Sequence, residues 1–366
     1  MDPRVEEHAR ILVEHSADIG PGDEVLVSVP PVAEDLLVAL NEQIAAKGAF
    51  PVQASLLGGG RAGRALVSAM DPEAYDDPPE ALQAIADSVD AAISVRAATN
   101  TREMSDVPPE THAALQAMLE PVRNEIMDKR WVGTQYPAPA NAQEAEMSTD
   151  AYADFVYDAV TKDWAAQREF QSNLVDILED ASTVRIVSGE TTDIELSIDG
   201  MEAVNDYGET NLPGGEVFTA PVPDSVAGEV TFDMPVITQG VEITDAYLLF
   251  EDGEVVEHSA EQNEDTLTAM LETDDGARRL GELGIGMNRD IDRFTYNMLF
   301  DEKMGDTVHL ALGMAYDDCV GPDREGNDSA IHTDMIVDMS EDSRIEVDGE
   351  VIQRDGTFRF EDGFEQ

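Results

Sequence analysis

The chain has six histidines, and two of them, His309 and His332, fall in strand-like runs, with a carboxylate, Asp334, two residues beyond the second. Residues two apart in a strand share a face. His332 and Asp334 therefore project together, and Ile331 and Thr333 point the other way. An imidazole and a carboxylate on one strand face make half of a metal site. His309, within Val308-His-Leu-Ala-Leu-Gly313, can supply the facing half.

Three further acids stand out by their settings. Glu216 lies in Asn211-Leu-Pro-Gly-Gly-Glu-Val-Phe-Thr-Ala-Pro221, which reads as an irregular, tightly turned segment. Glu282 lies among glycines in Gly281-Glu-Leu-Gly-Ile-Gly-Met-Asn288, and Glu302 precedes the His309 strand. Glycine permits close backbone approach, so acids held there suit a fixed inner role better than acids on helix surfaces. A single strand histidine is more often packing or surface than ligand, and most acids here solvate the surface. The combination carries the argument. Two histidines with several carboxylates are the inventory of a dinuclear hydrolytic centre. Carboxylates offset the charge of two cations, and imidazoles suit Zn²⁺, Co²⁺ or Mn²⁺. His258, at an expected helix start, reads as structural; His8, His15 and His112 read as surface or packing residues.

The elements that position these residues change character along the chain. Residues 1–178 alternate helical and strand patterns: helix from Val5 to His15, strand Glu24–Val29, helix Pro31–Ala46, strand Phe50–Leu56, helix Ala81–Asp87, strand Ala91–Val95, and a further strand at Arg130–Thr134. A long helical stretch runs from Met147 to Leu178. Strands separated by helices imply a doubly wound parallel α/β domain. No glycine-rich phosphate loop follows its first strand, and Gly58-Gly-Gly-Arg61 after the second reads as a turn. Residues 179–366 are dominated by strands punctuated by Asp-Gly turns, with helices expected near Glu261–Met270 and Gly276–Leu280. The expectation is a strand-rich α+β catalytic domain, with the boundary near residue 178.

Composition excludes several classes. With 78 acidic against 22 basic side chains, the formal net charge is −56. Such a chain repels nucleic acid and anionic membranes. The single cysteine, Cys319, excludes an intrachain disulfide and suits a reducing cytoplasm. No signal segment is expected, and no apolar run is long enough to span a bilayer. Acid spread along the whole chain, with little lysine, implies a cytosol of molar salt, as in halophilic archaea.

The blocks around Asn211–Pro221, Gly281–Asn288, Thr307–Tyr316 and Ser329–Asp334 resemble those of the thermophilic-type metallo-aminopeptidases, the aminopeptidase T and aminopeptidase S family. Arg130-Trp-Val-Gly-Thr-Gln-Tyr-Pro137 with Ala145-Glu-Met-Ser148, and the opening helix followed by Pro21-Gly-Asp-Glu-Val25, are similar to further family blocks. The resemblance covers essentially the whole chain. It implies a cytosolic exopeptidase that removes N-terminal residues from peptides with two divalent metal ions. It implies Glu216, Glu282, Glu302, His309, His332 and Asp334 as metal ligands and Tyr316 as the active-site tyrosine; by the chemistry, a carboxylate beside the metals, Glu282 or Glu302, would carry the water proton to the leaving amine. It also implies a homodimer enclosing its active sites. The stretch from Glu302 to His309 is longer than the family pattern, that from Tyr316 to His332 is shorter, and Asp317-Asp318 follows the tyrosine.

Two other readings share parts of this inventory. A dinuclear phosphoesterase uses similar ligands but needs cationic groups for phosphate, and basic residues such as Lys303 and Arg324 are few near the ligand blocks. A binding protein with structural zinc favours cysteine-rich closed tetrahedra, which one cysteine cannot supply. The charge of −56 generates a separate prediction. Below about 0.5 M salt the screening length exceeds roughly 4 Å and acid–acid repulsion is unmasked. Activity and structure are expected to fall on desalting, with partial rescue by divalent cations. Equal melting temperatures in dilute buffer and multimolar KCl would contradict the salt-adapted reading.

Overall fold

The computed structural model describes residues 1–54, 60–71, 77–238 and 241–364. The chain divides into two compact units, one of 1–162 with 208–214, the other of 163–207 with 215–366. The boundary expected near residue 178 lies at the end of a helix whose start coincides with this division.

In the first unit, β1 (Glu24–Ser28), β2 (Phe50–Gln53), β3 (Ala91–Arg96) and β4 (Arg130–Gln135) pair in parallel in the order β2-β1-β3-β4. Helices α1 (Pro3–Ile11), α2 (Glu34–Ala46), α3 (Gly60–Ala69), α4 (Glu80–Ser88), α5 (Pro109–Met127), α6 (Pro139–Glu144) and α7 (Thr149–Val160) accompany them. This is the expected doubly wound α/β pattern. The last residues of the strand expected to reach Leu56, and Gly58 and Gly59 of the expected turn, lie outside the described residues, as does the side chain of His112. Gly60 and Arg61 open α3. Periodicity assigns no element to the stretch holding α5, which carries Pro121 inside it and so mixes a helix breaker into a helical pattern.

The stretch expected as one helix from Met147 to Leu178 is two. Ser148 caps α7, and Asp163 caps α8 (Trp164–Leu178) by accepting from the Ala165 and Ala166 amides. Both are side-chain N-caps that satisfy free amides at a helix start.

Among the described residues the second unit has two large antiparallel sheets over one core and a separate two-stranded antiparallel ladder. Its strands are β5 (Thr183–Ser188), β6 (Thr192–Ser197), β7 (Val204–Asp206), then, after β8 (Asn211–Leu212), β9 (Glu216–Thr219), β10 (Ala227–Phe232), β11 (Val236–Thr238), β12 (Val241–Ile243), β13 (Ala246–Glu251), β14 (Glu254–Ser259), β15 (Leu280–Gly286), β16 (Thr307–Gly313), β17 (His332–Asp338), β18 (Ser343–Val347), β19 (Glu350–Arg354) and β20 (Thr357–Phe358). Strand β8 belongs to the first unit, where it adds a fifth parallel strand beside β4. Among the described residues, the larger sheet has the order β14-β13-β10-β6-β5-β18-β19-β20, and the smaller β17-β16-β15-β9-β7. Alternate residues of both sheets, including Ile186, Ile194, Val230, Leu283, Ile285, Val308, Leu310 and Met335, meet in one buried core with Leu174 and Leu178 of α8. The opposite face of the smaller sheet is left for polar side chains.

Two local expectations are corrected. His258 lies in β14, not at a helix start, and its Nε2 is 2.8 Å from Thr268 Oγ1 of α9 (Glu264–Leu271). The helix expected at Gly276–Leu280 is a single 3₁₀ turn, Asp275–Arg278, leading into β15.

His8 is wholly buried in the first unit, with Nε2 2.8 Å from Thr134 Oγ1. The Thr134 hydroxyl donates its one proton to Leu212 O at 2.7 Å, so it accepts from His8, and the ring proton sits on Nε2. Nδ1 has no hydrogen-bond partner. A second proton there is disfavoured, and burial pushes the His8 pKa down to about 3. The unfolded chain, with a pKa near 6.5, then binds this proton more readily than the folded one. The neutral ring's contribution is present above about pH 6.5 and is lost as pH falls towards about 3, by up to about 1.4 kcal/mol per pH unit. His8→Gln in molar KCl is expected to flatten the decline of melting temperature between pH 7 and 5. A slope equal to wild type would contradict this.

Candidate metal centre

The polar face of the smaller sheet gathers the residues singled out from the sequence. Strand β16 lies between β15 and β17, with Gly284 opposite His309, and Ala311 and Gly313 opposite Asp334 and His332. Glu216 opens β9 and pairs with Gly286 of β15. Directly opposite residues share a face, so Glu216, Glu282, His309, His332 and Asp334 all project to the same side. Small residues between them leave the room. A Cβ on Gly284 would lie 2.0 Å from His309 Nε2, so glycine there is what lets the imidazole lie across the sheet. Glu216 and Glu282 are thus strand residues in the sheet, and the irregular setting expected for Glu216 is corrected.

Glu282 reaches this face through a bulge. Leu280 pairs with Leu312 and Glu282 with Ala311, so Gly281 is an extra residue in the ladder. The bulge reverses the alternation. Leu280 and Leu283 both enter the core, and the Glu282 side chain goes to the polar face. Its two oxygens divide between the histidines: Oε1 is 3.1 Å from His309 Nε2, and Oε2 is 3.6 Å from His332 Nε2.

Glu216 is fixed from its backbone. Gly215 N donates to Asp206 O at 2.7 Å, and Met287 N donates to Gly215 O at 2.7 Å. Gly215 has φ +119°, and a Cβ there would lie 2.4 Å from that of Asn288. Gln171 of α8, fully buried, donates to Asp206 O at 2.9 Å and Glu216 O at 2.8 Å. Sequence reasoning missed this glutamine, whose only signal is a polar residue on the apolar stripe of α8. The Glu216 carboxylate faces the histidine, with Oε2 3.4 Å from His309 Nε2.

His332 Nδ1 lies 2.8 Å from Met314 O. A carbonyl can only accept, so Nδ1 carries a proton, and Nε2, 3.3 Å from Asp334 Oδ1, either donates to that carboxylate or, deprotonated, is the nitrogen left to bind a cation. Outer hydrogen bonds of this kind set the tautomer of metal-binding histidines. The Tyr316 ring stands 4.6 Å from the His332 ring and 6.4 Å from Phe218, and 42% of the residue is exposed. It forms an accessible rim. Partial burial and the surrounding carboxylates raise its pKa, keeping the hydroxyl protonated.

Glu302 follows the short helix α10 (Met298–Asp301) and pairs with its neighbour Lys303. Its carboxylate belongs to neither of the two donor groups that converge, although it lies close enough to Asp334 and His309 to interact with their charges. In one, ligand atoms of Glu216, Glu282 and His309 lie within 4.8 Å of one another; in the other, those of Glu282, His332 and Asp334 do so. The preceding Asp301 is structural: it accepts from Thr295 N, Thr295 Oγ1 and Asn297 N.

The electrostatics favour cations. Burial raises Glu216 to about 8 despite Lys303. Burial alone would lower His309 and His332, but Glu282 at the first and Asp334 at the second, with the other acids nearby, raise them to about 10 and about 9. Glu216 Oε2 and Glu282 Oε2 are buried without a hydrogen-bond partner. Hard carboxylate oxygens and imidazole nitrogens, grouped in two sets sharing Glu282, fit divalent ions such as Zn²⁺, Co²⁺ or Mn²⁺.

The chain belongs to the thermophilic metalloprotease (M29) family, whose model matches residues 1–361. It is 31% identical over 345 residues to aminopeptidase 2 of Geobacillus stearothermophilus, covering 79% of this chain and 82% of that protein. In fold it is similar to wild-type AmpT from Thermus thermophilus, with a TM-score of 0.84 at 22% identity over 98% of this chain and 99% of that one. A 2,5-dihydroxypyridine dioxygenase from Pseudomonas putida shares the fold at a TM-score of 0.61 and 12% identity, covering 98% and 97% of the two chains. Fold likeness therefore extends across different chemistries, and function has to be argued from the site.

Proposed function

We propose that the protein is a metal-dependent aminopeptidase that hydrolyses the N-terminal residue from peptides, using two divalent ions held by Glu216, Glu282, His309, His332 and Asp334. The observation that carries this reading is the sharing of Glu282 between two donor sets, in a chain whose relatives are named aminopeptidases. When bound, the ions supply Lewis acidity towards the scissile carbonyl and lower the pKa of water. Glu282 places one oxygen on each side, and the Met314 carbonyl holds His332 in the tautomer that binds through Nε2. The exposed Tyr316 hydroxyl donates to the oxyanion of the tetrahedral intermediate. A carboxylate at the edge of the site, Glu302, or the shared Glu282, moves the water proton to the leaving amine. Glu302 suits the shuttle better than a ligand role, because it pairs with Lys303 and stands outside both donor sets.

The phosphoesterase reading loses support at Lys303. Its ammonium is enclosed by carboxylates and is not available to a phosphate. The salt-adapted, cytoplasmic setting rests on the charge of −56; among the described residues no helix is long and apolar enough to cross a membrane. Assembly as a homodimer with enclosed sites completes the reading. Light scattering in molar salt is expected to give about twice 39.7 kDa, with short peptides cleaved and folded proteins spared. A fully active monomer would exclude this assembly.

Chelation is expected to abolish hydrolysis of aminoacyl anilides, and divalent metal to restore it. His309→Ala, His332→Ala and Glu216→Gln should each remove activity while the fold survives in high salt. Full activity with bound metal in any two of them would overturn the ligand assignment. Tyr316→Phe should leave metal content unchanged and lower turnover by about 10²–10³. A turnover within a few-fold of wild type would remove the oxyanion role.

A further inference from the structure

Lys303 is among the largest wholly buried side chains in the protein. Its Nζ lies 2.9 Å from Glu216 Oε1 and 3.7 Å from Asp206 Oδ2, and it is paired with Glu302. A buried ammonium persists only where carboxylates compensate its lost hydration. Its direction is set by the backbone around it. Lys303 N donates to Phe300 O at 3.0 Å, Lys303 O accepts from Asn288 N at 3.0 Å, and Gly305 N donates to Asn288 O at 3.1 Å. The turn after α10 is thereby fastened to the segment that follows β15, and the side chain has no solvent to swing into.

The contact divides the work of Glu216. One oxygen, Oε1, is taken by Lys303; the other, Oε2, faces His309 at 3.4 Å. Glu302 is held by the same ammonium. Among the described residues no lysine or arginine forms an ion pair with Asp334 or Glu282 of the second donor set, where both face His332; the charge of Lys303 reaches Asp334 only at longer range. A fixed positive charge beside one of two neighbouring cation positions repels an ion there and occupies oxygens that would otherwise bind it.

We infer that Lys303 is a resident cation that competes with metal for Glu216 and Glu302, making the Glu216–Glu282–His309 position the weaker of two unequal metal positions. This rests on the two-ion reading of the site. It makes Lys303 a positioning residue that limits Glu216 to one free oxygen and holds Glu302 beside the ions without binding them. The occupancy of the weaker position then follows the supply of divalent metal, while the position at His332 stays filled.

The test is a Co²⁺ titration of the metal-stripped full chain in molar KCl, followed by visible absorption, for wild type, Lys303→Met, Lys303→Gln and His332→Ala. Wild type is expected to bind in two steps separated by at least about tenfold in affinity, with His332→Ala removing the tighter one. Lys303→Met or Lys303→Gln should tighten the weaker step by about tenfold or more, corresponding to about 1.4 kcal/mol, and move the tighter step by less than about threefold. One ion in wild type and two in the lysine variants would be the same result in extreme form. Two indistinguishable steps in wild type would overturn the inference even if neither lysine variant folds. Two steps that both lysine variants leave unchanged would also overturn it, with the two-ion reading intact. One ion or none in wild type and in the folded lysine variants alike would overturn both.

Discussion

Repulsion among acids gathered on one sheet face is the constraint on which the rest of the site depends. Glu216 and Glu282 are each 5% exposed, and Asp334 and Glu302 lie close by. Carboxylates held together in a poorly solvated place must be protonated or meet positive charge. The chain answers this with the Lys303 ammonium and with two imidazoles whose affinity for protons is raised. Divalent ions answer it more fully, since each brings two charges and accepts several oxygens. The sheet provides the rigidity that the repulsion requires. Its other face is a continuous apolar core, so the strands cannot slip by a residue without burying the acids and exposing the leucines.

Backbone devices then give each acid its direction. The Gly281 bulge turns Glu282 out of the core, Gly284 makes space for the His309 ring, and Gln171 ties the start of β9 to α8. None of these groups touches a reacting atom in the proposed chemistry. Each sets where a ligand oxygen or nitrogen lies, and a misplacement of an ångström at such a centre is costly.

Much of this was legible in the sequence, because the strand period of two is a strong local rule. His332 and Asp334 do share a face, and His309 projects to the same side from the neighbouring strand. The alternation of helix and strand in the first half gave the doubly wound pattern. Other features depend on contacts distant in sequence. Glu216 looked irregular because Pro213, Gly214 and Gly215 stand directly before it, yet it opens a strand whose partners are β7 and β15. The role of β8 as a fifth strand beside β4 cannot be read from two residues. Gln171 stood out only as a polar residue on the apolar stripe of α8, and Lys303 only as a basic residue near the ligand blocks; the fold is what encloses them. The break between α7 and α8 did have a local signal, the Asp163 cap, which the continuous apolar spacing from Tyr152 to Trp164 obscured.

The acid outside and the acid inside serve different physics. Surface carboxylates are screened by salt, whereas buried ones are screened little; the metal face therefore has to be neutralised by its own cations whatever the medium. Anomalous diffraction from crystals grown with Zn²⁺ tests this most directly. Two zinc peaks are expected, one between Glu216 and His309 and the other between His332 and Asp334, with Glu282 reaching both. A single peak at high occupancy of metal, or peaks that avoid Glu282, would contradict the account.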